Sequence, residues 1–448
     1  MRPSQRMDQL TAGLPENIKD ARDRGELGLA RGLIDRALRS RRPAAAAARL
    51  RLERERLERL RASCPYGRKA ALRILRGRLK GFRDRELDGW IKAGVVSPRN
   101  IDGRERFEES FASNAVFRLP SLRRRLKKGA ARADAGLERV LERAEELARG
   151  AAPAGYRVRA RITLALKKEP GGAVRCWLPF PRVGDQVSSA RLLAASQEKY
   201  ALAAPGAPQR TIFFEGRARR FWAEFEYVIS EWVTRPGKGG RVPPGAAGCL
   251  REEPPHIVFT PRVRGLAAEI TGKERDPYLK ARRIYDWLTR NFTYNFTPPY
   301  CLFDNISEEA LTSLRGDCGF QALAFITLCR AAGVPARWQS GWAARPERGS
   351  PHDWALFYAG RWRPADLSFG NKMAAAGRER LRRFYFGSLD AGRMVANSGF
   401  GAGFRPAKKF WRSDPADNQL GEAETGSRNL YYGEFRTRIK IISFERIL

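Results

Sequence analysis

Histidine is almost absent from this 448-residue chain, which contains only His256 and His352. Two histidines cannot build a His-rich metal site, and no acidic loop resembles an EF-hand, so no metal and no other cofactor are expected. No stretch approaches the ~18 apolar residues of a membrane span, and the first residues lack the apolar core of a signal peptide. We therefore expect a cytoplasmic protein without a membrane span.

Cysteines are few and scattered, at Cys64, Cys176, Cys249, Cys301, Cys318 and Cys329. They lack the paired spacing of a zinc site and the density of a disulfide scaffold, so reduced thiols are expected. Only the last two fall within one helix-length segment.

Acidic residues are also scarce, because 85 Lys and Arg face 49 Asp and Glu, for a formal net charge of +36. Residues 1–150 hold 38 basic and 21 acidic residues, so 38 − 21 leaves +17 there and 36 − 17 leaves +19 for the rest. The excess is denser at the front but is not confined to one tail. Arginine-rich composition explains this spread, and nucleic-acid association through the front stays an open alternative.

The length of the chain predicts two or three domains. Residues 1–150 read as an Arg-rich helical domain, with strong helix formers after Pro43. Within it, a helix followed by an Asp102-Gly103 turn is compatible with a winged-helix reader of DNA or with a plain surface turn.

A second pattern begins at residue 156, where YRVRARITLAL alternates apolar and polar residues as a half-buried strand does. Similar runs follow, and we predict an antiparallel β-sandwich over 156–235. The Gly- and Pro-rich segment 236–248 reads as a linker or long loop. Residues 257–448 form the third predicted domain, with a core at 280–370 and a C-terminal extension that reads as mixed structure and strands.

The stretch LRGDCGFQ places Cys318 directly before an apolar helix that Gly333 and Pro335 end. Unpaired N–H groups and the positive end of the helix dipole favour a thiolate there and can receive a developing oxyanion. Cys318 is therefore the candidate nucleophile. Cys329, farther along the same helix, is expected in the core.

A base for this thiol is expected in the hairpin SPHDWALFYAGRWRPADLSFG. A three-residue loop ending in a left-handed Gly360 would pair Phe357 with Arg361 and place His352 opposite Asp366 on one face. A two-residue loop would put Asp366 on the other face. Asp366 would then orient the imidazole as the third member of a triad.

The runs LRGDCGFQALAFITLCRAAGVPARWQSGW, PHDWALFY and GRWRPADLSFG resemble the core of the transglutaminase-like superfamily. The resemblance implies a papain-like fold in which Cys318 is the nucleophile, His352 the base and Asp366 the orienting acid. The expected fold class is therefore α+β, a papain-like transglutaminase core preceded by a β-sandwich and a helical domain. An upstream side-chain donor to the oxyanion is also implied, for which Tyr294 is an unassigned candidate.

The resemblance further implies acyl transfer from a peptide, isopeptide or side-chain amide through a Cys318 thioester. Because no calcium site is visible, hydrolysis is favoured over cross-linking, with a protein or peptide as substrate. A protein-glutamine transamidase and a catalytically silent binding protein are the alternatives. His256 has no comparable partner and is expected to be structural, and nothing in the sequence indicates the oligomeric state.

Overall fold

The computed structural model describes residues 8–127, 135–235, 237 and 242–447. Most of the front of the chain is helical, as predicted, and the predicted Asp102-Gly103 turn joins two short strands. Whether this hairpin contacts DNA stays a prediction. The elements are α1 (Glu16–Asp23), α2 (Leu27–Arg39), α3 (Ala44–Ser63), α4 (Arg68–Arg78), α5 (Arg85–Lys92), β1 (Arg99–Ile101), β2 (Arg104–Arg106), α6 (Phe111–Arg118) and α7 (Ala135–Ala148).

Antiparallel strands follow, as the alternating pattern predicts. In the first of them Val158, Ile162 and Leu164 are buried while Arg157 and Arg159 are exposed, because successive side chains point to opposite faces. The strands are β3 (Gly155–Leu166), β4 (Val174–Pro179), β5 (Val187–Ala195), β6 (Ala201–Leu202), β7 (Thr211–Gly216) and β8 (Arg220–Ser230).

The third region places a four-stranded antiparallel sheet, of order β13-β12-β11-β14, among helices. Of the predicted linker, residues 236 and 238–241 lie outside the described residues, and its end forms a short helix rather than a loop. The elements are α8 (Pro244–Ala247), α9 (Pro261–Thr271), α10 (Pro277–Asn291), β9 (Thr293–Tyr294), α11 (Ile306–Ser313), β10 (Arg315–Gly316), α12 (Cys318–Ala331), β11 (Ala336–Arg345), β12 (Arg348–Tyr358), β13 (Trp362–Ala365), α13 (Leu367–Ala375), α14 (Glu379–Phe384) and β14 (Arg393–Asn397).

This central sheet is buried on both faces. Trp338 and Phe357 pack with α12 in one apolar core, while Trp342 and Trp354 share a second core with the strands of the preceding sheets. The ring centroids of Trp342 and Phe225 are 5.9 Å apart across that second core. Burial all round α12 explains why this helix is a nearly continuous apolar run.

The end of the chain returns to the earlier sheets. Strands β15 (Glu422–Thr425), β16 (Asn429–Leu430) and β17 (Phe435–Ile447) complete them, giving the orders β16-β15-β4-β7-β6 and β17-β3-β8-β5. The C-terminal strands were expected as an extension of the domain at 257–448, but they pair with β3 and β4 instead. The sequence missed this because long-range strand pairing leaves no local pattern.

The mixed α+β class, with N-terminal helices and several antiparallel sheets, is therefore confirmed. Among the residues that the structure describes, no helix has the length and apolar character needed to cross a membrane.

The central strand β11 requires glycine at position 341, where it lies between β12 and β14. Gly341 pairs with His352 on one side and Val395 on the other, and a Cβ there would lie 1.9 Å from the Met394 carbonyl oxygen. We predict that Gly341→Ala lowers the free energy of unfolding by about 3 kcal/mol, because the clash is with backbone that cannot move aside. Urea unfolding measures this. Gly171→Ala, where nothing lies within 4 Å, is the control, and equal effects of both variants would contradict the prediction.

Candidate active site

Cys318 is the first residue of α12, as predicted. The side chain of Asp317 caps the helix by accepting a hydrogen bond from the Phe320 backbone N–H at 3.2 Å. A Cβ at Gly316 would lie 2.3 Å from the Phe320 side chain, and one at Gly319 would lie 2.0 Å from the Tyr300 hydroxyl. The Gly-Asp-Cys-Gly run thus supplies a cap and two close approaches around the cysteine.

The segment before the nucleophile holds this cap in place. Tyr300 Oη donates to Asp317 Oδ1 at 2.5 Å, and Thr297 Oγ1 donates to Oδ2 at 2.6 Å. Burial raises the pKa of Asp317, although these two donors oppose the rise. The cap is therefore a carboxyl group whose oxygens are all engaged by donors.

Two N-terminal helices hydrogen-bond to the backbone of this segment, which comprises residues 296–302. Asn114 on α6 bonds both the backbone N–H and the carbonyl of Phe296, at 2.9 Å each. Arg56 on α3 donates to the carbonyl oxygens of Cys301 at 2.7 Å and Leu302 at 2.9 Å. The Arg-rich N-terminal region therefore supports the candidate nucleophile indirectly, through the loop that binds Asp317. No local sequence pattern predicts these hydrogen bonds.

The thiol itself contacts a residue that sequence reasoning passed over. Cys318 Sγ donates a hydrogen bond to Asp353 Oδ2 at 3.1 Å. Asp353 Oδ1 accepts from Gln419 Nε2 at 2.6 Å, and the same Nε2 donates to the His352 carbonyl at 3.0 Å. Asp353 is the next residue after His352 in PHDW, so its position was visible, but its role depends on the helix packed against it.

The surroundings of Cys318 oppose the thiolate that its position at a helix start favours. Burial, followed by the charges of Asp353 and Asp317, raises the pKa of the Cys318 thiol well above its ordinary value. The helix start does favour the anion, but two nearby carboxyls and removal from water outweigh it. Cys318 keeps partial exposure to solvent, whereas Cys329 is fully buried in the core as predicted.

His352 and Asp366 do form the predicted pair. Nε2 of His352 lies 2.7 Å from Asp366 Oδ2, and both side chains are buried. The imidazole stacks on Trp354 and meets Phe369 edge-on, which fixes the plane of the ring. Burial acts to raise the pKa of Asp366, but His352 and Arg393 outweigh it and lower that pKa.

The hairpin reaches this arrangement in a register two residues from the predicted one. Phe357 pairs with Arg363 rather than Arg361, and the loop is residues 359–361. Gly360 is left-handed, with φ of +73°, as expected. A shift of two preserves the face of each side chain, so Asp366 still meets His352, now from the N-cap of α13.

Behind Asp366 stands a buried network that the sequence did not predict. Arg393 Nη2 donates to Asp366 Oδ2 at 2.8 Å, and its Nη1 donates to Asp390 at 3.2 Å. Asp390 also accepts from the hydroxyl of Tyr385 at 2.9 Å. Arg393, together with His352, keeps the pKa of the buried Asp366 low and so favours its ionised form.

The two remaining expectations concern His256 and Tyr294. His256 is fully buried, its Nδ1 accepts from the Ile306 backbone N–H at 3.2 Å, and burial followed by Arg56 lowers its pKa to about 3. This agrees with the structural role expected for it. Burial and then the nearby Cys318 raise the pKa of Tyr294, so a protonated phenol lies close to the thiol, and its role as oxyanion donor stays a prediction.

The molecule is thus an α+β protein with a cysteine at a helix start, hydrogen-bonded to Asp353, and with a buried pair of His352 and Asp366. Residues 264–367 match the family model described as Transglutaminase-like superfamily, and Cys318, His352 and Asp366 all lie inside that range. The chain contains a transglutaminase-like superfamily core domain.

Individual proteins are similar over different shares of the chain. An uncharacterized protein of Haemophilus influenzae is 36% identical over 85 residues, which are 18% of this chain and 23% of that protein, so the chain spans less than a quarter of that relative. A crystal structure of a proposed cysteine protease from Cytophaga hutchinsonii is 14% identical with a TM-score of 0.42, over 65% of this chain and 92% of that one. The periplasmic domain of TgpA from Pseudomonas aeruginosa is 16% identical with a TM-score of 0.29, over 54% and 95%.

The buried ion pair predicts a measurable pH dependence. We expect Arg393→Met to lower the free energy of unfolding by about 3–5 kcal/mol at pH 7, because Asp366 and Asp390 lose their buried partner. In the native protein Asp366 has a lowered pKa, so its stabilisation is present above about pH 4 and is lost as pH falls through the folded value. In the variant Asp366 keeps only His352 as its cationic partner, so its carboxylate is less stabilised and takes up a proton at higher pH than in the native protein. The difference in unfolding free energy should therefore narrow as pH falls from 7 toward about 4 and below.

Urea unfolding from pH 7 to pH 3 checks this prediction. Arg438→Met is the control, since this arginine is exposed on β17 and should change stability by less than about 0.5 kcal/mol. A gap between Arg393→Met and the native protein that stays constant across the pH range would contradict the expectation.

Proposed function

We propose that this chain is a cysteine-dependent acyl-transfer enzyme that hydrolyses amide bonds of a peptide or protein substrate. The observation that carries the proposal is the buried contact between His352 Nε2 and Asp366 Oδ2. Asp353, the next residue after His352 on β12, accepts a hydrogen bond from Cys318 at the start of α12. Membership of the core domain in a superfamily that usually comprises cysteine enzymes supports it.

The tautomer of His352 follows from its partner. Asp366 is held ionised and can only accept a hydrogen bond, so Nε2 carries the proton and Nδ1 of the neutral imidazole is the basic nitrogen. In the proposed reaction the Cys318 proton passes to Nδ1 as sulfur attacks the carbonyl carbon. The imidazolium then protonates the leaving amine, and a thioester remains on Sγ.

Water then completes the reaction. His352 Nδ1 accepts a proton from the attacking water as its oxygen bonds to the carbonyl carbon. The C–S bond then breaks, the imidazolium returns the proton to Sγ, and a carboxylic acid is released. The oxyanion of each tetrahedral intermediate would lie near the backbone N–H of Cys318 and the hydroxyl of Tyr294. An amine in place of water would give transamidation, which is the alternative reaction of the same site.

A second candidate function is binding without turnover. The raised pKa of Cys318 favours it, because a resting thiol hydrogen-bonded to a carboxyl is a poor nucleophile. It requires a peptide- or protein-binding cleft in which the three side chains are retained without chemistry.

An acyl-enzyme experiment distinguishes the two. We expect intact-mass spectrometry after incubation with a peptide library to show a covalent acyl adduct on the native protein and none on Cys318→Ala, since only Cys318 can carry the thioester. Cys249→Ala removes another partly exposed thiol and should leave the adduct unchanged. An adduct that persists in Cys318→Ala, or no Cys318-dependent product from any peptide, would overturn the enzyme proposal.

A further inference from the structure

The partner of the nucleophile in this structure is a carboxyl group. Cys318 Sγ donates to Asp353 Oδ2 at 3.1 Å, while the imidazole of His352 is engaged by Asp366. We propose that Asp353 is a fourth functional residue of the site, a carboxyl that holds the Cys318 thiol in its protonated form until a bound substrate displaces it. This inference rests on the proposed role of Cys318 as the nucleophile.

Asp353 is oriented for this contact. It lies on β12 opposite Ser340 of β11, so its backbone is fixed within the central sheet. Gln419 Nε2 donates to Oδ1 at 2.6 Å and also to the His352 carbonyl at 3.0 Å. One oxygen is therefore committed to the amide donor, which leaves the other oxygen facing the sulfur.

A second buried carboxyl, that of Asp417, favours a proton on Asp353. Asp417 approaches Asp353 from the C-terminal segment, and its Oδ2 is buried without a donor among the described residues. A proton shared between the two carboxyls would satisfy that oxygen. Burial, then Asp417 and Asp317, raises the pKa of Asp353 well above its ordinary value.

Further titratable groups lie around Cys318 and Asp353. Asp317 lies at the start of α12, and its charge raises the pKa of the Cys318 thiol after burial and Asp353. Tyr294 on β9 and Tyr300 after it also lie near the thiol, and burial raises the pKa of both phenols. His352 precedes Asp353 on the same strand, and Arg412 acts on Asp417 from the far side. A thiolate formed here would therefore face carboxyls at close range.

The contrast with Asp366 makes the assignment specific. Asp366 is paired with Arg393 at 2.8 Å, and its pKa is lowered, so it is a charged group that orients an imidazole. The carboxyl of Asp353 has an amide and a thiol as its donors, and its pKa is raised. Two aspartates of one site thus have opposite preferences for a proton because one has a guanidinium and the other does not.

The release step is a proton transfer with a simple balance. When a substrate carbonyl occupies the space beside Sγ, the S–H···Oδ2 hydrogen bond breaks and the sulfur turns from Asp353. The S–H bond then breaks, its proton forms an N–H bond at His352 Nδ1, and the electron pair left on sulfur attacks the carbonyl carbon. Asp353 ends the step with the protonation it had at rest.

Asp353→Asn tests the proposal through the reactivity of the free thiol. Gln419 Nε2 should keep the amide oxygen of the new side chain at the Oδ1 position, which places its NH₂ group toward Sγ, where it donates to a thiolate. We expect iodoacetamide to alkylate Cys318 at least about tenfold faster at pH 7, with the pH midpoint shifted down by about one unit or more. Peptide-level mass spectrometry measures the rate at Cys318 separately from the other thiols.

Asp417→Asn is the matched control, one carboxyl farther from the sulfur. It removes the repulsion that favours a proton on Asp353, so Asp353 becomes more anionic and the thiol stays protonated. Alkylation should then be no faster than in the native protein. A merely loosened site would accelerate both variants alike, and that result would overturn the proposal, as would an unchanged or slower rate in a folded Asp353→Asn.

A further variant keeps the test decisive if Asp353→Asn fails to fold. Gln419→Met removes the donor that orients the carboxyl and leaves Asp353 in place, so a smaller acceleration in the same direction is expected, and none would count against the proposal. Thermal unfolding of each variant establishes that it is folded. If peptide turnover proves independent of Cys318 while these alkylation shifts persist, the proposed enzyme function fails and the restraint by Asp353 stands.

Discussion

Exclusion of water from the carboxyl groups around α12 is the constraint on which the site depends. A buried carboxyl must either keep its proton or hold a cation, because an isolated charge away from water is costly. Asp366 holds its charge against Arg393 and His352. Asp353 has no such partner and retains proton-binding character. The chemistry proposed for the two residues follows from this one difference.

The fold brings three distant parts of the chain together around the start of α12. The hairpin β12–β13 supplies His352 and Asp353, and the returning C-terminal segment supplies Gln419. The N-terminal helices act from farther away, since Asn114 and Arg56 hold the loop whose hydroxyl groups bind the cap of α12. The front of the chain therefore has a structural part in the site, whatever its relation to nucleic acid.

The hairpin shows where reading the sequence succeeds and where it stops. Turn chemistry predicted a left-handed Gly360 and a shared face for His352 and Asp366, and both are confirmed. The register was wrong by two residues, since a three-residue loop can begin at either of two nearby positions with the same glycine. The predicted contact between His352 and Asp366 still forms, because every second side chain of a strand lies on the same face. A slip of one residue would have separated the pair.

The sequence by itself determined the features that depend on neighbours along the chain. These are the start of α12 at Cys318, the alternation in β3 and the shared face of His352 and Asp366. Tertiary structure alone decided the rise in the pKa of the Cys318 thiol, the pairing of Arg393 with Asp366 and the return of β17 to the first sheets. Each of these depends on desolvation or on contacts across long sequence separations. Neither desolvation nor a long-range contact can be read from a local sequence pattern, because both depend on which residues the complete fold packs together.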